Sequence, residues 1–446
     1  MNVSSFFGIQ TSLRGLLAHQ RMLDTTGHNI ANASTVGYSR QEAIVSATRA
    51  MELLTGGELG GTKQLGAGVD VDGFRRVRDQ FLDLQYRAQN AVFNDWKARA
   101  EAIDSAELSL QEPGENGINE QLTKFWQAWS DLSKAPDDLA AKQALVQQAN
   151  SLTDSIHSVR WQMTAARDTA MAQYDSITGP NGDIEKIAVE LAGLNKTIAA
   201  AKVNGGSPND LLDRRDILLD KLSSFGQISV EYLDNGSTNV SFVDGSTGTP
   251  YEIVTDQTAA WAGPPASWSP GGQLGGLLAA GGPGGMIEGY LATLDSFAET
   301  LATSVNAAYG GTFFTVSPPA GQSIQVDAGI QAAPGSIASG TGASGSNDFA
   351  LAVSQLRGDP GIDGVYRAFV AKVGGDLNEA TRMQANAQVL VNSVEDRRQS
   401  VQGVSMDEEM SNLVRFQRAY QASSRAMSTM DEMLDVLINR TGRVGL

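Results

Sequence analysis

Residues 25–41 read TTGHNIANASTVGYSRQ: a helix end, a turn and the start of an extended segment in one short run. The helix that leads into it has an unusual period. Phe6, Ile9, Leu13, Leu16, Gln20, Leu23, Gly27 and Ile30 step by three and four. That is the 3.5-residue repeat of a coiled-coil seam, not the wider stripe of a globular surface helix. Gln20 and Gly27 break the seam, one able to fix register and the other to let a partner backbone approach. The helix should stop at Asn32, with Ser34 and Thr35 in a turn and Gly37 at positive φ. YSRQEAIVSA then reads as extended chain, and GVDVDGF, 68–74, as a strand. Chain ends usually fray. A helix-to-turn transition this specific marks the end as half of a joint, closed when the C-terminus and neighbouring subunits meet it.

The other half is legible at the far end. Leu413, Phe416, Tyr420, Ser423, Met427, Met430, Leu434 and Leu437 repeat the same alternation. Two seams at opposite ends predict that the ends pair, because each doubling of loop length adds only about 0.6 kcal/mol to closure. Isolated helices of this kind are marginal in water, and Gln20, Gly27 and Ser423 weaken these two further. Most of their order should come from packing against other copies or other proteins.

Between the ends the pattern is mostly helical. From Asp79 to Ala201 one seam carries Leu82, Val92, Trp96, Ile103, Ala106 and Leu110, with Gln85, Gln89 and Arg99 as polar members. Later helices carry Leu122, Phe125, Trp126, Trp129 and Leu132; Leu145, Ala149, Leu152, Ile156, Val159 and Met163; and Ile184, Ile187, Leu191, Leu194 and Ile198. LLDRRDILLDKLSSF, with Asp210 in its N-cap region, is a further helix. QISVEYL, NVSFV and YEIVT are short strands between turns, a small β domain over 226–272. Helix returns at 286. QSIQVDAGI is a strand candidate in the looser stretch 310–347, and the chain is helical again from Asp376 to Arg440 with a break at Gly403.

Composition narrows the function. A formal charge of -17 without a Lys/Arg cluster argues against nucleic acid and against an anionic membrane surface as partner. No cysteine is present, which excludes disulfides, zinc thiolates and a cysteine nucleophile. No apolar stretch is long enough to span a membrane. The first residues lack a basic region followed by an apolar core, so no cleaved secretory signal is expected. His19, His28 and His157 are not spaced as metal ligands. DVDG, 70–73, falls short of a calcium loop, and GGELGG and GGPGG match no phosphate-binding pattern. Glu408 and Glu409 sit where they complement a helix dipole. No cofactor, metal or catalytic group is expected.

NIANASTVGYSRQ resembles the N-terminal signature of bacterial flagellar rod, hook and hook-associated proteins, at Asn29, Ile30, Ala31, Asn32, Thr35, Gly37 and Tyr38. Val36 stands where that pattern usually has Pro, which loosens the turn. Ser39-Arg40-Gln41 is similar to the version in the flagellar hook-associated protein 1 family. DLLDRRDILLDKLS (210–223), GGQLGGLLAA (271–280) and the helix 403–439 resemble the same family. The resemblance implies a mainly α, elongated, multi-domain axial protein. It would have terminal coiled-coil helices (1–40 with 404–446), a helical rod-like domain (41–225 with 273–403) and a small inserted β domain (226–272). It implies a non-enzymatic adaptor between hook and filament, exported through the flagellar type III apparatus. Its partners would be the flagellar hook protein, a second hook-associated junction protein, copies of itself in a ring, and a cytoplasmic export chaperone on the C-terminal helix. The assembly surface would draw on Leu13, Leu16, Leu23, Asn29, Ile30, Asn32, Gly37 and Tyr38, with Leu413, Phe416, Tyr420, Met427, Met430, Leu434 and Leu437. The competing reading is another axial component, a rod or hook protein, which should lack the long central helices.

Overall fold

The computed structural model describes residues 6–54, 62–342 and 345–440. The first helix, α1 (Phe7–Ala31), ends at Asn32, whose N–H donates to His28 O. The chain then turns through Gly37, at φ +77°. An antiparallel ribbon follows: β1 (Gln41–Ala47) pairs with β4 (Val69–Arg76), with a bulge between Ile44 and Val45. Between them β2 (Met51–Leu54) pairs with β3 (Thr62–Leu65). The middle of the expected Gly-rich loop, 55–61, lies outside the described residues.

The helical body comprises α2 (Gln80–Leu108), α3 (Ile118–Lys134), α4 (Leu139–Thr178), α5 (Asp183–Val203) and α6 (Asn209–Phe225). Asp79 and Asp138 start α2 and α4 by accepting from the N–H of Phe81 and Ala140, the usual N-cap device. At 40 residues, α4 is about 60 Å long, which makes the molecule elongated. The stripes expected for α3, α4 and α5 are buried, with Phe125 packed at a tilt against Phe313 and Phe314, and Trp129 likewise against Tyr309 and Phe313. The α6 N-cap is Pro208, which leaves Asp210 in the first turn.

The β domain is a four-stranded antiparallel meander in the order β5 (Ile228–Tyr232), β6 (Thr238–Val243), β7 (Pro250–Thr255), β8 (Thr258–Ala259). Two indoles tie it to the end of α4: Trp261 Nε1 donates to Thr178 O at 3.1 Å and Trp268 Nε1 to Tyr174 Oη at 2.9 Å. The chain re-enters the body through α7 (Gly272–Gly281). There Gly276 lies against α2, where any Cβ would overlap the Asp95 carbonyl. Next come α8 (Met286–Tyr309), β9 (Phe314–Thr315), α9 (Ala320–Ser323), β10 (Gln325–Val326), α10 (Ala328–Ala332), α11 (Asp348–Ser354), α12 (Val365–Gln402) and α13 (Met406–Asp435). The strand expected over QSIQVDAGI is real only at Gln325–Val326, because Asp327 caps α10 and turns the rest helical. The helix expected from Asp376 starts earlier, at Val365, because Tyr366, Phe369 and Val373 have an apolar site to fill.

The ends pair, antiparallel. Along α13, Glu409, Ser423 and Met430 face Asn29, Gly15 and Gly8 of α1. The expected C-terminal stripe is half-buried from Leu413 to Leu434, while Leu437 is 59% exposed. On α1 the contact face is not the expected apolar stripe. It is a row of small and polar residues in which Gly8, Gly15, Ala18, Thr26 and Asn29 let the two backbones come close. Gly27, expected at the contact, has open space beside it. Phe6, Leu13 and Leu17 remain in solvent, Leu13 at 42% exposure.

The α2 stripe also differs from expectation. Val92 is 45% exposed. The buried face of the first half of α2 is instead Asp83, Arg87, Ala91 and Ala98, and ion pairing explains it.

Candidate functional site

The signature, the ribbon, α6, α12 and α13 meet at one joint. Asn29, 2% exposed, is its hub. Its amide nitrogen donates to Gln41 O at 3.0 Å and to Glu409 Oε2 at 3.2 Å. Its amide oxygen accepts from Gln41 N at 2.9 Å and from Tyr38 Oη at 2.7 Å. All the capacity of that amide is used, and it holds α1, β1 and α13 together. Glu409 is therefore buried and bonded rather than free to act on the helix dipole alone.

Tyr38 gives its one proton to Asn29, so His28 Nδ1, 3.0 Å from the same oxygen, must be the donor of that pair. Burial first, then the charges of Asp213, Asp210 and Glu409, push the Tyr38 hydroxyl well above its ordinary value, so it stays a donor. Asn32 accepts from Thr35 and closes the turn. At Gly37 the backbone is left-handed and a Cβ would overlap the Ile217 side chain of α6. Gly37→Ala should therefore cost about 1–2 kcal/mol from the backbone alone. Gly37→Asn, which tolerates that conformation better, should cost less; equal urea midpoints for the two variants would place the cost elsewhere.

Ser39 and Arg40 carry the joint into the body. Ser39 is fully buried, its N–H on Asp213 and its hydroxyl receiving Arg78. Arg40 N–H donates to Gln402 O, and its guanidinium reaches Glu408 at 3.0 Å. Beneath them lies a buried ion network that sequence reading missed. Arg76 reaches Asp213 and Asp216, each at 2.8 Å. Arg78 reaches Asp83 at 2.7 Å and Asp216 at 3.4 Å. Arg87 reaches Asp220 at 2.8 Å and Asp216 at 3.3 Å. Arg398 reaches Asp220 at 2.8 Å and Asp83 at 3.3 Å, stacked over Tyr86. The network joins β4, α2, α6 and α12.

Burial alone would raise the Asp216 carboxyl, but Arg78, Arg76 and Arg87 outweigh it and hold the group below its ordinary range. Its deprotonated form is thus favoured by folding. That contribution is complete above the unfolded value of about 3.9 and is lost as pH falls through the lower folded value. The urea midpoint should fall steeply below about pH 4, and Asp216→Asn should flatten that fall. An unchanged pH profile in Asp216→Asn would remove Asp216 from the acid response.

Among the described residues, no group of three or more His, Cys, Asp or Glu side chains could hold a metal ion. No described helix is long and apolar enough to cross a membrane. Of the assembly residues expected from sequence, Asn29, Asn32, Gly37 and Tyr38 lie in the joint. Leu16, Leu23 and Ile30 are half-buried along α1, Leu413, Phe416, Tyr420, Met427, Met430 and Leu434 half-buried along α13, and Leu13 and Leu437 exposed.

The family model of the flagellar hook-associated protein FlgK helical domain matches residues 103–313. Flagellar hook-associated protein 1 of Bacillus subtilis (strain 168) is 29% identical over 98% of this chain and 99% of its own. Over nearly its whole length the chain is similar to the flagellar hook-associated protein 1 family. The Escherichia coli (strain K12) hook-associated protein 1 is 23% identical over 97% of this chain and 99% of its own. The ends of this chain also match broader models, the flagella basal body rod protein over 9–38 and the flagellar basal body rod FlgEFG protein C-terminal over 398–440. The hook-associated helical domain over 103–313 is what sets it apart from those. The flagellar hook junction protein FlgK from Burkholderia pseudomallei superposes over 52% of this chain and 47% of its own, at 22% identity and a TM-score of 0.45, too loosely to carry an argument.

Proposed function

We propose that this chain is a structural adaptor at the bacterial flagellar hook–filament junction, exported by the flagellar type III apparatus and assembled through its terminal helices. The observation that carries it is the pair α1 and α13. They are locked to the body by the joint yet leave Phe6, Leu13, Leu17, Met433, Leu437 and Ile438 in solvent. Exposed apolar surface of this kind marks a binding face. Residues 1–40 with 404–446 would form an inner coiled coil, 41–225 with 273–403 the rod-like part, and 226–272 an outer β domain. Hook protein, a second hook-associated junction protein and further copies in a ring would cover the stripe in the flagellum, outside the cell. An export chaperone would cover its α13 half in the cytoplasm. The role is structural rather than enzymatic.

Leu13→Asp and Leu437→Asp test this. Both side chains are already exposed, so stability should stay within about 0.5 kcal/mol of the parent. Self-association of the purified chain and filament growth in a complemented deletion strain should both be lost. Filaments restored by both variants, in chains that fold normally, would overturn assembly through this stripe.

A further inference from the structure

A second feature stands away from the apolar stripe. A cleft of about 440 Å³ opens between β4, the start of α6 and the β5–β6 turn. Its walls carry Arg75, Arg76, Arg78, Lys202 and Arg215 against only Asp83 and Asp216. Both carboxylates are already taken, Asp83 by Arg78 and Asp216 by Arg76 and Arg87. Arg215 is 3% exposed. Its Nη1 donates to Gly236 O at 2.8 Å, while its Nε has no hydrogen-bond partner. It packs over Tyr232 at 5.4 Å, with no carboxylate in ion-pair range among the described residues. Lys202 lies along Gly236 on the rim, also without an ion pair among the described residues. The N-terminus of the 17-residue helix α6 opens into the same space, with Pro208 at the cap and no side chain bonded to the first N–H groups.

We propose that this cleft is an oxyanion site, taking a carboxylate or phosphate group. A buried guanidinium without an anionic partner is costly, and in a chain of charge -17 every neighbouring carboxylate would ordinarily be drawn to it. Among the described residues no carboxylate lies in ion-pair range of Arg215, and Asp216 supports it only from farther away. The three donors, Arg215, Lys202 and the uncapped helix start, converge on one space and differ in chemistry. Charge-assisted hydrogen bonds from Lys202, the helix start and the part of the Arg215 guanidinium that lines the cleft would hold an oxyanion there. Burial depresses the Arg215 guanidinium, Asp216 and Tyr232 partly offset it, and Arg76 and Arg87 lower it further, a penalty an anion would relieve.

The experiment is calorimetric titration of the full chain at fixed ionic strength with three probes: inorganic phosphate, succinate and a short poly-glutamate peptide. Saturable binding with one site per chain is expected for at least one probe, weakened about tenfold by Lys202→Gln, a rim substitution that leaves the core untouched. Phosphate alone would identify a small free anion as the ligand; succinate and the peptide would identify acidic side chains of another polypeptide. Arg215→Gln should abolish binding, and Lys202→Gln covers the case in which that variant fails to fold. No saturable binding by any probe, or binding indifferent to Lys202→Gln, would overturn the site.

Discussion

Replacing Asp216 with alanine should lower the stability of the chain by about 3–5 kcal/mol. The side chain is 4% exposed and lies within 3.4 Å of Arg76, Arg78 and Arg87. Its removal leaves Arg76, Arg78 and Arg87 with one carboxylate each, Asp213, Asp83 and Asp220, and takes away the buried charge that all three share. Breaking a buried pair by taking away one partner is far more damaging than never having built it, because the remaining charge keeps its desolvation penalty. The urea midpoint should fall accordingly, with an unchanged slope if the same surface still unfolds. The loss in Asp216→Ala combined with Arg76→Met should differ from the sum of the two single losses by more than about 1 kcal/mol, the sign of two groups in one network. A loss under about 1 kcal/mol in the single variant would mean that the arginines find other partners and that the network does not hold β4, α2, α6 and α12 together.

Asn29→Asp should be the second large effect, and it changes one atom. The carboxylate could still accept from Gln41 N and Tyr38, but it could no longer donate to Gln41 O and Glu409. Two hydrogen bonds go, and a second negative charge arrives 3.2 Å from the buried Glu409 carboxylate. Lost bonds of about 1 kcal/mol each and like-charge repulsion together should cost about 3 kcal/mol. Amides of α1 and α13 should exchange much faster than in the parent, while those of α3 and α4 should not change. Lowering the pH toward 5 should restore part of the protection, since one proton shared by the two carboxyls removes the repulsion. Equal protection in parent and variant would show that the terminal helices pair without the hub.

How much of this could be read from sequence depends on what is buried. The cores of α3, α4 and α5 were legible because Phe125 and Trp129, Ile156, and Leu191 each lie on the apolar face of their own helix and are fully buried. The β meander was legible from its strands and turns. The start of α2 was not, because periodicity looks for apolar residues and this face is Asp83, Arg87 and Ala91. The signal was present elsewhere: Asp213, Asp216 and Asp220 recur at helical spacing on α6, and Arg76 and Arg78 alternate at a strand end. Only the fold shows that these charged stripes face each other. The terminal helices failed in a related way. Their apolar stripe was visible, but the face of α1 that meets α13 is made of glycine, alanine and polar residues, so Phe6 and Leu13 of the stripe stay exposed while Leu16, Leu23 and Ile30 are half-buried. Asn29, Asn32, Gly37 and Tyr38 were marked by the signature, whereas the reach of Asn29 to Glu409, far along the chain, was not.

The most direct measurement is electron microscopy of a deletion strain, combined with an assay for flagellin in the medium. A hook–filament junction role predicts complete hooks without filaments and flagellin shed outside, reversed by the parent chain. Basal bodies lacking hooks, or normal flagella, would contradict it.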